Sequence, residues 1–334
     1  MTLLEVWKWL WVGAGFKPAL TGGQTQPGRE TNLSDVWFEL EELVKSGRLE
    51  RTEAFYHLPG RAHYVRIRKE RYVVAEFKFK KALKFARLFR FVPGVRLIAV
   101  CNTLGQLNAH EEDDIDLFII TAPRRIWLAR FFCLGILKLA GERPRLARFK
   151  ASPEERQDKI DLSFFLSEDN LAIDSLALHH LDQDFTSSPP DRRGEPGPSL
   201  LNSRGGRLDD IYLVYWLAQL APIYSEANIY EEFLSANSWV SEYLPNVFGA
   251  HLSHWRKVPV RARLKKFFEA WVFDLDEKIC KFLQRRIMPS RLARLAAEAN
   301  TGVVISDKIL KFHDQDKRQA YRDLFREKCS EVKV

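Results

Sequence analysis

The sequence predicts an α+β chain, on three observations. Apolar runs of strand length, Val95–Cys101, Ile115–Thr121 and Lys159–Leu166, stand among longer segments with helical periodicity. A composition of 46% hydrophobic and 29% charged residues over 334 positions is that of a globular chain long enough for two or three packed units. No run of eighteen or more apolar residues occurs. The longest candidates, Ile126–Leu139 and Ile211–Ile223, are broken by Arg130 and Lys138 or by Gln219 and Pro222, and read as buried helices rather than membrane spans.

Residues 2–10 carry Leu3, Leu4, Trp7 and Leu10 at helical spacing. This apolar start is short, lacks basic residues at its head and has Lys8 in its middle, so a signal peptide is not expected. Glycine and proline break the pattern across 12–30, an irregular insertion. A helix is expected from an N-cap at Ser34, with Val36, Leu40, Leu43 and Val44 on one face and a stop at Gly47. Arg48–Tyr56 and Ala62–Ile67 read as two strands around the turn Leu58-Pro59-Gly60. Helix, helix and hairpin in this order resemble a winged-helix module, which residues 1–75 would form.

Arg61–Arg96 holds twelve Lys or Arg against Glu70 and Glu76, interleaved with Phe77, Phe79, Leu83, Phe85, Leu88 and Phe89. A helix here buries an apolar face and shows a basic one, which is either a solvated face or a contact for nucleic-acid phosphates. Residues 76–181 then form the α/β part: strand Val95–Cys101, a polar segment, strand Ile115–Thr121, helix Arg124–Leu139 and strand Lys159–Leu166. Residues 182–207, rich in Pro, Gly, Ser and charge, read as a linker or surface loop. The remainder, 208–334, is expected to be helical, with patterns at 209–223, 227–243, 259–287, 289–298 and 316–330.

The chemistry concentrates in VRLIAVCNTLGQLNAHEEDDIDLFIIT. Asp114 and Asp116 lie two apart at the start of a strand, so both carboxylates point to one face. Such a pair repels unless a cation lies between, and hard oxygen ligands suit Mg²⁺. Asp161 sits in KIDLSFFL, where Ile160, Leu162, Phe164 and Leu166 are expected on one face and Asp161 and Ser163 on the other. Adjacent pairing of the two strands would bring three acids together, enough to hold a pair of metal ions.

Strand, turn into a helix, D-x-D strand and a later single Asp resemble the DNA polymerase beta-type nucleotidyltransferase superfamily. The segments RRIWLARFF and ANSWVSEYLPN are similar to a bacterial group known only as nucleotidyltransferase-domain proteins. The resemblance implies a nucleotidyltransferase-like mixed sheet with flanking helices, which would stand between the winged-helix-like start and the helical C-terminal half expected from the residue patterns. It also implies Mg²⁺-dependent transfer of a nucleoside monophosphate from a nucleoside triphosphate, with Asp114, Asp116 and Asp161 as metal-binding and catalytic carboxylates. Where the superfamily has Gly-Ser, this chain has Asn102-Thr103. Thr103 keeps a hydroxyl for the triphosphate, and Asn102 tolerates the left-handed backbone that glycine would supply. Arg124 and Arg125, just past the strand, are further candidates for phosphate.

A second function stands beside the first: a non-catalytic nucleic-acid-binding or regulatory protein with a degenerate nucleotidyltransferase domain, favoured by Asn102 in place of Gly. The formal charge of +8 suits acidic partners in either case. Cys101, Cys133, Cys280 and Cys329 are far apart with no C-x-x-C spacing, which argues against a zinc site or disulfides and suits the cytoplasm. His179-His180 and Lys311-Phe312-His313 read as structural, and Trp239 and Tyr243 as packing aromatics.

Overall fold

The computed structural model describes residues 1–11, 32–142, 155, 157–178, 210–247, 256–271, 277–298 and 301–331. The insertion at 12–30, the linker at 182–207 and His179-His180 lie outside the described residues. Helix α1 (Leu3–Lys8) opens with a capping box in which Thr2 and Glu5 satisfy each other's backbone N–H groups. Helix α2 (Leu33–Lys45) is capped by Asn32, whose side-chain oxygen accepts from the Ser34 N–H at 3.2 Å. The cap therefore falls two residues before the expected Ser34, because Asn32 is itself a strong capping residue with extended backbone. Gly47, at φ 72°, ends the helix as expected.

Strands β1 (Glu50–Thr52) and β2 (Phe55–His57) form a hairpin that turns at Glu53-Ala54, not at Leu58-Pro59-Gly60. Ala62–Ile67 is not a strand. From His63 it belongs to helix α3 (His63–Phe89), because Val65 extends the helical stripe of Ala75, Lys78, Phe79, Ala82, Phe85, Ala86 and Phe89. Local β-propensity at Tyr64, Val65 and Ile67 loses to that longer period.

The main sheet comprises β3 (Val95–Val100), β4 (Ile115–Thr121), β5 (Ile160–Ser167), β6 (Ala221–Ser225), β7 (Val303–Ile305) and β8 (Ile309–Phe312). Its order is β6-β3-β4-β5-β8-β7, with β4 and β5 parallel and the other neighbours antiparallel. The chain is thus α+β with a mixed sheet. The C-terminal part is helical only in part. Helices α6 (Ile211–Ala218), α7 (Ile229–Ala236), α8 (Ala262–Trp271), α9 (Glu277–Ile287), α10 (Ser290–Ala297) and α11 (Arg318–Glu331) are present, yet half of the sheet's strands come from the same region. The helix expected over 209–223 stops at Ala218, and Ala221–Ser225 pairs with β3. Pro222 lacks the N–H that a helix interior needs.

Strand β5 carries one more residue than its partner between the pairs Asp116–Asp161 and Phe118–Phe164. This irregularity overturns the expected alternation. Ile160, Leu162 and Phe165 join the core under α3 and α5 (Ile126–Leu139), whereas Phe164 and Leu166 join the opposite core under α6 and α7. A third, smaller cluster around Val36, Leu40 and Tyr56 closes the N-terminal unit. No helix among the described residues is long and apolar enough to cross a membrane.

Asp210 is fully buried, accepts the Leu213 N–H at the start of α6 and pairs with buried Arg318 of α11 at 2.8 Å. Arg318 keeps Asp316 as a second partner, so Asp210→Ala, which also leaves the Leu178 and Leu213 N–H groups without their acceptor, should lower the unfolding free energy by about 1–3 kcal/mol. Glu42→Ala, at an exposed ion pair with Lys45, should leave it unchanged within error. Urea denaturation of the two variants checks the contrast.

Candidate metal centre

Asp114 precedes β4 and Asp116 lies on it, so the two side chains share a face. The parallel register sets Asp161 of β5 directly beside Asp116. One carboxylate oxygen from each of the three lies within 4.8 Å of the other two, and all three residues are half-buried. Burial, then the charges of Asp114 and Asp161, push the Asp116 carboxyl well above the usual carboxylate range. The Asn102 amide opposes this by donating to Asp116 at 2.5 Å. Burial and the same acids also raise the Cys101 thiol. A cluster of hard oxygens, held together against its own repulsion, fits a divalent cation.

Lys78 holds the approach to both acid-bearing strands. It is 1% exposed and donates to the carbonyls of Glu111 and Asp113 at 2.9 and 2.7 Å, and to the Asp158 carboxylate at 2.5 Å. Asp113 and Asp158 bond to each other through the backbone, as do Ile115 and Lys159. One ammonium on α3 therefore fixes the loops that enter β4 and β5. In the sequence Lys78 is one of many basic residues on a helix with a solvated face. Its place in the stripe of Ala75, Phe79 and Ala82 was the available signal that it points inward.

The turn after β3 is helix α4 (Asn102–Gly105). Asn102 adopts φ 57°, the left-handed conformation that its type tolerates. Thr103, expected to face a triphosphate, instead donates its hydroxyl to Asp113 at 2.7 Å, and Asp113 also accepts the His110 N–H. Gly105 passes so close to the Gln219 carbonyl that a Cβ would lie 2.6 Å from its oxygen. Tyr212 of α6 reaches the Asn102 side-chain oxygen at 3.5 Å.

Arg124 and Arg125 are not in this site. They follow the far end of β4, about 20 Å away by the rise of a seven-residue strand. Arg124 is exposed, and Arg125 packs against Gly94. Side chains past a strand's C-terminus lie at the opposite end of the strand from those before its N-terminus. Within the basic stretch, Arg68, Lys69, Lys81 and Arg96 are paired with Glu5, Glu53, Glu142 and Glu226. Lys80, Lys84 and Arg87 remain at the surface of α3 beside Val73 and Phe77. No family model, curated protein or solved structure matches the chain.

Asp116→Asn removes one of three crowded charges. In chelator-treated protein it should raise the melting temperature, by about 2 °C for a gain of under 1 kcal/mol. In millimolar Mg²⁺ or Mn²⁺ the wild type should gain stability and the variant should not. Differential scanning calorimetry with and without cation reads both signs. Equal cation responses would remove the metal assignment.

Proposed function

We propose that the chain is a Mg²⁺-dependent nucleotidyltransferase that moves a nucleoside monophosphate from a nucleoside triphosphate to a hydroxyl acceptor. The observation that carries this reading is the convergence of Asp114, Asp116 and Asp161 on two parallel strands. Bound Mg²⁺ would supply charge neutralisation for the triphosphate and acidify the acceptor hydroxyl. Asp114 and Asp116 would hold the cation, with Asp116 oriented by the Asn102 amide. Asp161 would complete the set and take up the hydroxyl proton. The acceptor oxygen bonds to the α-phosphorus as the bond to the bridging oxygen breaks, and pyrophosphate leaves with that electron pair. Release of Thr103 from Asp113 would free a hydroxyl for a phosphate oxygen. The helix–helix–hairpin start supports a winged-helix-like accessory unit.

Turnover of ATP, CTP, GTP and UTP with Mg²⁺, followed as pyrophosphate release in the presence of candidate hydroxyl acceptors, tests the reading. Wild type should turn over at least one of them. Asp114→Ala/Asp116→Ala should abolish the signal while keeping a cooperative melt. Cation-independent release, or release indifferent to the double variant, would sink it.

The basic surface stripe of Lys80, Lys84 and Arg87, with Phe77 at its flank, favours a second reading as a nucleic-acid-binding protein. Fluorescence anisotropy with a labelled duplex should then give an affinity that falls with salt. Lys80→Glu/Lys84→Glu/Arg87→Glu should flatten the log–log slope by about 0.9 for each phosphate the variant no longer neutralises. A slope unaffected by the triple variant excludes this face.

A further inference from the structure

A cavity of about 150 Å³ opens on the same sheet face as the acid cluster, between the end of β8, the start of α11 and one side of α6. Its apolar wall is Phe164 stacked on Trp216, ring centres 5.2 Å apart, with Leu213 beside them. Tyr212 and Tyr321, stacked at 5.6 Å, also line it. This volume holds a body of about benzene's size.

The polar wall is more telling, because most of its hydrogen-bonding capacity is spent and one part is not. Arg318 is occupied by Asp210, Asp316, the Leu176 carbonyl and the Thr301 hydroxyl. Lys311, only 5% exposed, donates to the Thr301 carbonyl at 2.8 Å and forms no ion pair among the described residues. An ammonium has three donors, so two are unspent. His313, two residues on, shares Nε2 with Ser163 at 3.3 Å, while its Nδ1 is buried without a partner. With Ser163 donating to Nε2, Nδ1–H is a donor. Burial, with Lys311 adding to it, lowers His313 to about 4, so the ring is neutral near pH 7. Burial, reinforced by Arg318, lowers Lys311 to about 8. A buried cation with unspent donors is costly unless an anion joins it.

We propose that this cavity binds a small organic carboxylate, its apolar body on Phe164 and Trp216 and its carboxylate on the Lys311 ammonium, beside the neutral His313 ring. A single negative charge matches the buried Lys311 ammonium. A phosphate dianion is disfavoured by Asp316 and by the acid cluster on the same face. Asp161 lies three residues before Phe164 on β5, about 10 Å along the strand. A carboxylic acid with a hydroxyl at its far end therefore suits the acceptor, an assignment of role that rests on the transferase reading. The binding itself does not. The Lys311-Phe312-His313 run, read from sequence as structural, becomes the ligand-facing end of β8.

Isothermal titration calorimetry of the full chain with 3-phenylpropionate, 3-phenylpropionamide and inorganic phosphate tests the proposal. The acid should saturate below about 10 mM. The amide should bind about tenfold more weakly or worse, since it cannot form the charged hydrogen bond, and phosphate should not displace the acid. Lys311→Met should lose about tenfold or more in affinity for the acid, and Lys266→Met, exposed on α8 and outside the cavity lining, should not. Asp114→Asn/Asp116→Asn should bind the acid at least as tightly as wild type does, so loss of transfer and loss of this site are separable. The acid–amide comparison needs no variant and decides the matter even if Lys311→Met does not fold. Equal binding of acid and amide, competition by phosphate, no binding of the acid, or undiminished binding to folded Lys311→Met would each overturn it.

Discussion

The parallel pairing of β4 with β5 is the contact on which the candidate site depends. It sets Asp161 beside Asp116 and, through the two-residue period of the strand, brings Asp114 to the same place. The pairing is electrostatically unfavourable where it matters most, since it gathers three like charges in a half-buried cleft. It persists because both strands are buried along most of their length. Six of the seven residues of β4 are inaccessible or nearly so, and Phe118, Ile120, Phe164 and Leu166 are packed under α6 and α7. Burial of side chains of that size contributes about 1.5–3 kcal/mol each, against a repulsion confined to the strand entrances. Lys78 adds a fixed positive charge behind the entrances without entering the cleft.

The sheet's two faces divide the work. One is sealed by α3, α5 and Cys280 of α9 over a mainly apolar core, with Lys78 and Gln284 buried at its margins. The other is covered by α6 and α7, and the acids occupy that side at the strand entrances. Charged and polar side chains that reach this face are tied in turn. Tyr212 meets Asn102, Asn102 meets Asp116, and Ser163 meets His313. The extra residue in β5 makes this possible. It lets Asp161 pair with Asp116 while Phe164, three positions on, still reaches the same core.

Where the sequence carried a long, regular signal, it was legible. The apolar runs that became β3, β4 and β5 are strands, the acid pair lies at the entry to β4, and Asp161 is its neighbour. What stayed hidden was set by tertiary context. Ala221–Ser225 is too short and too apolar to separate from the helix before it, and only β3's open edge makes it a strand. Ile309–Phe312 could not announce that its partner lies in β5, well over a hundred residues earlier. Tyr64, Val65 and Ile67 favour a strand locally, yet one helical stripe runs through them to Phe89. The charge of Lys78 points outward by type, and only its position in that stripe points inward. Arg124 and Arg125 are near the acids in sequence alone, because a strand separates its two ends by its whole length.

Asn102-Thr103, at the turn after β3, is the pair outside the acids with the most bearing on the site. Glycine at such a turn supplies left-handed backbone, and Asn102 supplies it at φ 57°. The added side chain is not idle, because its amide donates to the Asp116 carboxylate and offsets part of the upward pKa shift that burial and two neighbouring acids impose there. Thr103 and Asp113 bind the same turn to the loop that Lys78 anchors. The turn and the acids therefore form one hydrogen-bonded unit, in which a cation at the carboxylates would compete with the Asn102 amide for Asp116. On this account Asn102 both gives the turn its left-handed backbone and tunes how strongly the acid cluster draws a cation.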